Sequence, residues 1–376
     1  MRAGSALAVV LLWGLLPAAG ARAAAPQGPP PASFYRVPVR VPSRPAGAVF
    51  RALRLGSPST FKMWGLLYHS RSRTGRDVLV SGVVAVPSGP RPKGGFPIVS
   101  FAHGTTGFTD ASAPSKTGDT GTAWPFGKLF ALLIPRGYAI AITDYEGLGT
   151  PGPLQFDVGL SAGHSVLDIA RAARRLAPGS LSRRVAVIGH SEGGHAALWA
   201  GQLARSYVPD LDVRAVVASA PGADLAAIGR LRHYAPETTF AVLGLLGSWH
   251  KLFGAPLGRL LTPAGMSDAE AINADNGDAV DLTKSPFPPW PADLGPWKRL
   301  LHENTPGGQH TAAPILVLVG TADHNVPPAT NRQFVKTLRK RGDRVSLHIL
   351  KGADHDHTLL NSETLILRFL LHHLGS

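Results

Sequence analysis

The chain has 376 residues, a net charge of +14, 44% hydrophobic residues and no cysteine. That length suits one large domain with an elaboration, and the missing cysteine excludes disulfide support, so the fold must rest on its core alone. The basic residues are scattered, and the densest stretch, Arg332 to Arg344, reads as the solvated face of a helix. This argues against a nucleic-acid groove and leaves a weak attraction to anionic envelope or lipid surfaces.

The chain begins with Arg2, an apolar segment from Ala6 to Leu16, Pro17 and small residues running to Ala25. That order reads as a secretory leader over residues 1–25, because the apolar part is too short for a permanent membrane span. Residues 26–376 are then expected to form one domain that is soluble outside the cytoplasm. Pro29 to Pro45 reads as an extended lead-in, with Val37, Val39 and Val41 as an edge strand. Lys62 to His69 and Val78 to Val86 predict an antiparallel hairpin joined by the polar Ser70 to Asp77. Ile98 to Ala102 predicts a buried strand that runs directly into His103-Gly104-Thr105-Thr106-Gly107.

From there strands and helices alternate. Leu129 to Ile134 reads as helix, Tyr138 to Thr143 as strand and Ala162 to Leu176 as helix. Val185 to Ile188, Ala215 to Ser219, Ile315 to Val319 and Val345 to Leu350 read as strands, and Leu359 to Leu371 as the closing helix. The alternation predicts an α/β fold with a mostly parallel sheet covered by helices on both sides. Loops beyond the carboxyl ends of its strands should hold the site. About ninety residues separate Ser219 from Ile315, far more than a crossover needs. Residues 222–312 therefore read as a cap. Its first half, with Phe240 to Phe253, should be helical and supply part of an apolar pocket; its second half, with Pro286 to Pro291, Pro296 and Trp297, should be stiff and irregular.

The chemistry centres on Gly189-His190-Ser191-Glu192-Gly193-Gly194, where a buried strand meets the helix-forming stretch from His195 to Ala204. Gly-x-Ser-x-Gly at such a junction is the nucleophile elbow, which holds a serine exposed above the sheet edge. A serine hydroxyl needs an imidazole to take its proton, and the imidazole needs an acid to orient it. Asp323, after strand Ile315 to Val319, and His355, after the last strand, stand in the loops that could supply them. His357 is two residues from His355 and competes for the role of base. Gly352 allows a turn that delivers His355 toward Ser191, while Asp356 or Thr358 would cap the closing helix and leave His357 beside its first turn. The backbone N–H groups of Glu192 and Thr105 are the candidate oxyanion donors, with Thr106 in reserve. The Glu192 side chain is expected to point outward, where its charge would favour the helix dipole. His103 should hold its loop, and Asp144-Tyr145-Glu146-Gly147-Leu148-Gly149 should buttress the site. The carboxylates and imidazoles from Asp354 to His357 lack a second set at ligand spacing, so neither metal nor cofactor is expected.

His103 to Gly107, Asp144 to Gly149, Gly189 to His195, Gly320 to Asp323 and Gly352 to His355, in that order, resemble the secretory lipase family of α/β-hydrolases. The resemblance runs from about Phe34 to the C-terminus. It implies hydrolysis of carboxylic esters, acylglycerols included, with Ser191, Asp323 and His355 as the triad and a helical cap before the acid. The chain departs from it in lacking the disulfides of fungal members and in having Glu192 where bacterial relatives often have Gln. A peptidase or acyltransferase with the same triad is the alternative enzyme, and a binding protein on the same scaffold is the alternative outside catalysis.

Overall fold

The computed structural model describes residues 28–122, 124–229, 235–274, 280, 285–289, 291 and 293–375. The leader predicted over residues 1–25 lies outside them. Nine strands make one sheet: β1 (Val49–Leu55), β2 (Phe61–Arg71), β3 (Asp77–Pro87), β4 (Phe96–Ala102), β5 (Ala139–Thr143), β6 (Leu181–His190), β7 (Asp212–Ser219), β8 (Ile315–Gly320) and β9 (Val345–Leu350). Their order is β1-β2-β3-β5-β4-β6-β7-β8-β9. The first three are antiparallel, and the six from β4 to β9 are mutually parallel. The crossing of β4 and β5 is a switch point, the place where an open α/β sheet leaves a crevice at its carboxyl edge.

Strands β4, β5 and β8 are buried along their whole length, and so is the second half of β6. Both faces are covered, so these strands read as unbroken apolar runs. On one face α3 (Gly159–Leu176), α4 (Glu192–Tyr207) and α9 (Pro328–Lys340) bury Val166, Ile169, Ala197 and Val335 against the sheet. On the other, α2 (Phe126–Leu133) and α11 (Glu363–Leu374) contribute Leu129, Leu133, Ile366 and Leu370. The short α1 (Pro114–Thr117) follows β4, and α10 (His355–Leu360) follows β9.

Between β7 and β8 the chain forms α5 (Leu225–Gly229), α6 (Pro236–Phe253), α7 (Pro263–Ile272) and α8 (Pro296–Asn304). These helices build a third core in which Leu243, Trp249, Trp297 and Leu300 pack with Phe108 and Phe156 from loops of the sheet. The Trp249 and Trp297 rings stack at 6.2 Å. Gly244 has no side chain because a Cβ there would strike the Phe108 ring.

Three expectations are corrected. The edge strand is Val49–Leu55 and not Val37 to Val41, where Pro38 and Pro42 remove ladder donors. The stretch after Pro296 is helical, since proline at the first helical position costs no hydrogen bond. The closing helix is two: α10 begins at His355 with Asp354 as its cap, the Asp354 side chain accepting from the His357 N–H, and α11 follows. No helix among the described residues is long and apolar enough to cross a membrane.

Candidate active site

Ser191 stands between β6 and α4 with φ 57° and ψ −121°, a left-handed backbone that is rare for a residue with a side chain. Its neighbours make the turn possible. A Cβ on Gly189 would collide with the Gly193 carbonyl, and one on Gly193 would collide with the Ala102 carbonyl. Glycine is thus required on both flanks for the helix to start against β4. The Ser191 N–H donates to the Ser219 carbonyl at 3.0 Å, which fixes the turn to the neighbouring strand.

Ser191 and His355 line the same cavity of about 500 Å³. The Asp323 carboxyl is buried, and His355 Nδ1 lies 2.9 Å from its Oδ2. The other Asp323 oxygen accepts from the N–H groups of Asn325 (2.9 Å) and Val326 (2.8 Å). The acid is thereby held by its own loop while it orients the imidazole. His357 turns away: its ring pairs with Asp354 at 2.8 Å on the exposed side of α10, and it does not line the cavity.

Thr105, Thr106 and Glu192 also border the cavity. The outward orientation expected for Glu192 is overturned, and the elbow gives the reason. With Gly193 pressed on β4 and Gly194 on Pro221, the first turn of α4 leaves position 192 facing the cavity. Burial, then the nearby Asp157, push the Glu192 carboxyl well above the usual carboxylate range, partly offset by a hydrogen bond from Thr105. His103 is fully buried, its Nδ1 2.6 Å from the Gly104 carbonyl and its ring 4.3 Å from that of Tyr145, and it does not border the cavity. Burial lowers its pKa to about 4. Asp144 is buried behind α1, accepting from Ser81 Oγ, Ser115 N and Ser115 Oγ, and burial raises its pKa to about 6.

Two neighbours of the site went unremarked in the sequence. His190 lies under His355 with ring centroids 4.5 Å apart, and Asp157 borders the cavity beside Glu192. His190 is the variable residue of the elbow motif, which offered a signal; Asp157 belongs to no motif and offered none. The far wall of the cavity is apolar, with Leu225 and, from α6, Phe240, Val242, Leu245 and Leu246.

Comparison with known proteins follows the same division. Residues 127–248 match the model of the secretory lipase family, and residues 298–376 match that of the prolyl oligopeptidase family. The trichothecene C-3 esterase of Fusarium sporotrichioides is 37% identical over 108 residues, 28% of this chain and 23% of that esterase. Lipase A of Moesziomyces aphidis is 27% identical over 197 residues, 48% of this chain and 40% of the lipase. The chain thus spans less than half the length of these curated relatives. Among solved structures, a ligand-bound form of the rice cell wall degrading esterase LipA from Xanthomonas oryzae superposes with a TM-score of 0.71 at 18% identity, covering 88% of this chain and 99% of that one. The chain is an α/β-hydrolase by fold, and its elbow-bearing segment resembles the secretory lipases.

Proposed function

We propose that the protein is an exported serine hydrolase that cleaves carboxylic esters, lipids among them, through an acyl-enzyme. The observation that carries this reading is the arrangement at one cavity: a serine on a left-handed elbow, with the histidine that borders the same space paired to a buried aspartate. His355 takes the Ser191 proton as Oγ attacks the ester carbonyl, and Asp323 stabilises the imidazolium. The N–H groups of Glu192 and Thr105 receive the oxyanion. His355 then returns the proton to the leaving alcohol, and water repeats the sequence on the acyl-enzyme to release the acid. Residues 222–312 act as the cap, and the apolar face of α6 holds the acyl chain. The leader sequence and the likeness to secretory lipases support export and an ester or lipid substrate.

The match of residues 298–376 to prolyl oligopeptidases keeps a peptidase as the second reading, since those residues carry Asp323 and His355. A fluorophosphonate probe should label Ser191 in the wild-type protein and leave Ser191→Ala unlabelled, and the labelled enzyme should lose turnover of p-nitrophenyl esters. Cleavage of peptide amides in preference to esters would reverse the ranking, and an unreactive Ser191 would end both readings.

A further inference from the structure

The side chain of Glu192 borders the cavity beside Ser191 and Thr105, whose surroundings must receive any negative charge that develops on a substrate carbonyl oxygen. It is half-buried, next to Ser191, and hydrogen-bonded by Thr105. An ionised carboxylate there would repel the oxyanion that the two backbone N–H groups are set to receive. The groups packed around it decide whether its charge is compensated.

One is Asp157, also on the cavity wall, with His195 behind it. His195 Nε2 lies 2.6 Å from the carbonyl oxygen of Asn304, which only accepts, so Nε2 carries a proton. Nδ1 is therefore the atom nearer Asp157 Oδ1, 3.2 Å away, a contact without hydrogen-bond geometry. Asp157 is itself an acid, and it supplies no positive charge to Glu192.

From the loop after β5, Tyr145 donates its hydroxyl to the His103 carbonyl, and His103 is held neutral by burial. From α10 come His355, committed to Asp323, and Asp356; from α6 comes Glu237. Asp356 is largely exposed and lies 3.7 Å from His190, Glu237 is exposed, and the described cavity residues include no lysine or arginine. A carboxylate half-buried beside another acid, with no cation on the same wall, is disfavoured against its neutral form.

We infer that Glu192 works as a neutral carboxylic acid, tolerated beside the oxyanion only while it keeps its proton, and that its ionisation silences the site. As a neutral acid its O–H can donate toward the substrate carbonyl as charge develops there. This rests on the ester-hydrolase reading. Because the folded protein holds this carboxyl well above its usual range, it is neutral below that value and ionised above it, so activity is lost as pH rises through it. The alkaline limb of the pH profile belongs to Glu192.

The test is the pH dependence of kcat/KM on a p-nitrophenyl ester and of the second-order rate of fluorophosphonate labelling. Wild type and Glu192→Gln, an isostere of the neutral acid, are compared, with folding checked by circular dichroism at each pH. Above its limb the wild type should fall about tenfold per pH unit, and the Gln variant should lose that limb. Thr105→Val removes the one hydrogen bond that favours the ionised form and should move the limb to higher pH, an independent readout if the Gln variant does not fold. A Gln variant, or in its absence a Val variant, with the wild-type alkaline limb overturns the inference alone. A wild-type protein that no probe labels overturns the hydrolase reading and the inference with it.

Discussion

Asp323→Asn separates orientation of the base from mere presence of a polar side chain. The wild-type carboxyl divides its oxygens: Oδ1 accepts from the N–H groups of Asn325 and Val326, and Oδ2 faces His355 Nδ1 at 2.9 Å. An asparagine must keep its one carbonyl oxygen on the two N–H groups, so its NH2 turns to His355. Nδ1 then becomes an acceptor, Nε2 carries the proton, and the ring cannot take another from Ser191. Flipping the amide would leave two N–H groups without an acceptor at about 1–3 kcal/mol each, roughly 2–6 kcal/mol in all. The wrong tautomer is therefore locked, and kcat should fall by about 10⁴, the scale on which replacing a triad aspartate by asparagine acts in a serine protease. KM and the melting temperature should change little, because the loop keeps both backbone bonds. Asp323→Ala should be equally inactive but lose roughly 2–6 kcal/mol of stability with those bonds. Steady-state turnover and thermal unfolding of the three proteins read both effects. A folded Asn variant within tenfold of wild-type kcat would refute the assignment of Asp323 as the orienting acid.

Three more outcomes follow from the same geometry. His355→Ala should lose at least ~10³-fold in turnover and His357→Ala only a few-fold, and the reverse ranking in steady-state assays would move the base to His357. Across a series of p-nitrophenyl acyl esters, kcat/KM should rise about fourfold per methylene while the apolar wall has room, from ~0.8 kcal/mol each. A flat series, or a preference for acetate, would remove α6 from the acyl pocket. The carboxyl of Asp144 titrates at about 6 in the folded protein against a usual 3.8, so folding is penalised as pH rises through that window, by at most about 3 kcal/mol. Stability of Asp144→Asn relative to wild type should therefore grow from pH 4 to pH 7 in denaturant titrations, and a pH-independent difference would contradict the burial argument.

What the sequence made legible is what one physical rule governs. Strands buried on both faces read as apolar runs, and the elbow announced itself because glycines are required where Gly189 and Gly193 meet backbone. What stayed hidden depended on two rules at once. The edge strand Val49–Leu55 carries Arg51 and Arg54, whose guanidinium groups lie over the rings of Phe50 and Trp64, so its alternation is disguised by charged residues covering aromatic surface. Pro296 suggested irregular chain, yet its position, and not its identity, decides between breaking a helix and opening one. Glu192 was placed by the dipole argument, whereas packing of Gly193 and Gly194 sets which way the first turn of α4 faces. Asp157 comes to the site from a loop where its φ is 50°, a placement no local pattern encodes.

The wall opposite the sheet is fixed by a polar clamp as well as by apolar packing. Asn304, at the end of α8, accepts at its backbone carbonyl from His195 Nε2 and Trp199 Nε1, and at its side-chain oxygen from the Gly159 N–H. Three donors from α3 and α4 thus converge on one residue of the segment between β7 and β8. Apolar contacts tolerate sliding, while buried hydrogen bonds of this kind do not, because each one left unmade costs about 1–3 kcal/mol. Gly159 belongs to the same clamp, since a Cβ there would enter the Trp199 ring. The consequence reaches the site through His195, which meets Asn304 with one nitrogen and Asp157 with the other. Side chains of α6 can therefore change without touching the clamp, whereas a shift of α8 is passed to His195 and to Asp157 beside Glu192.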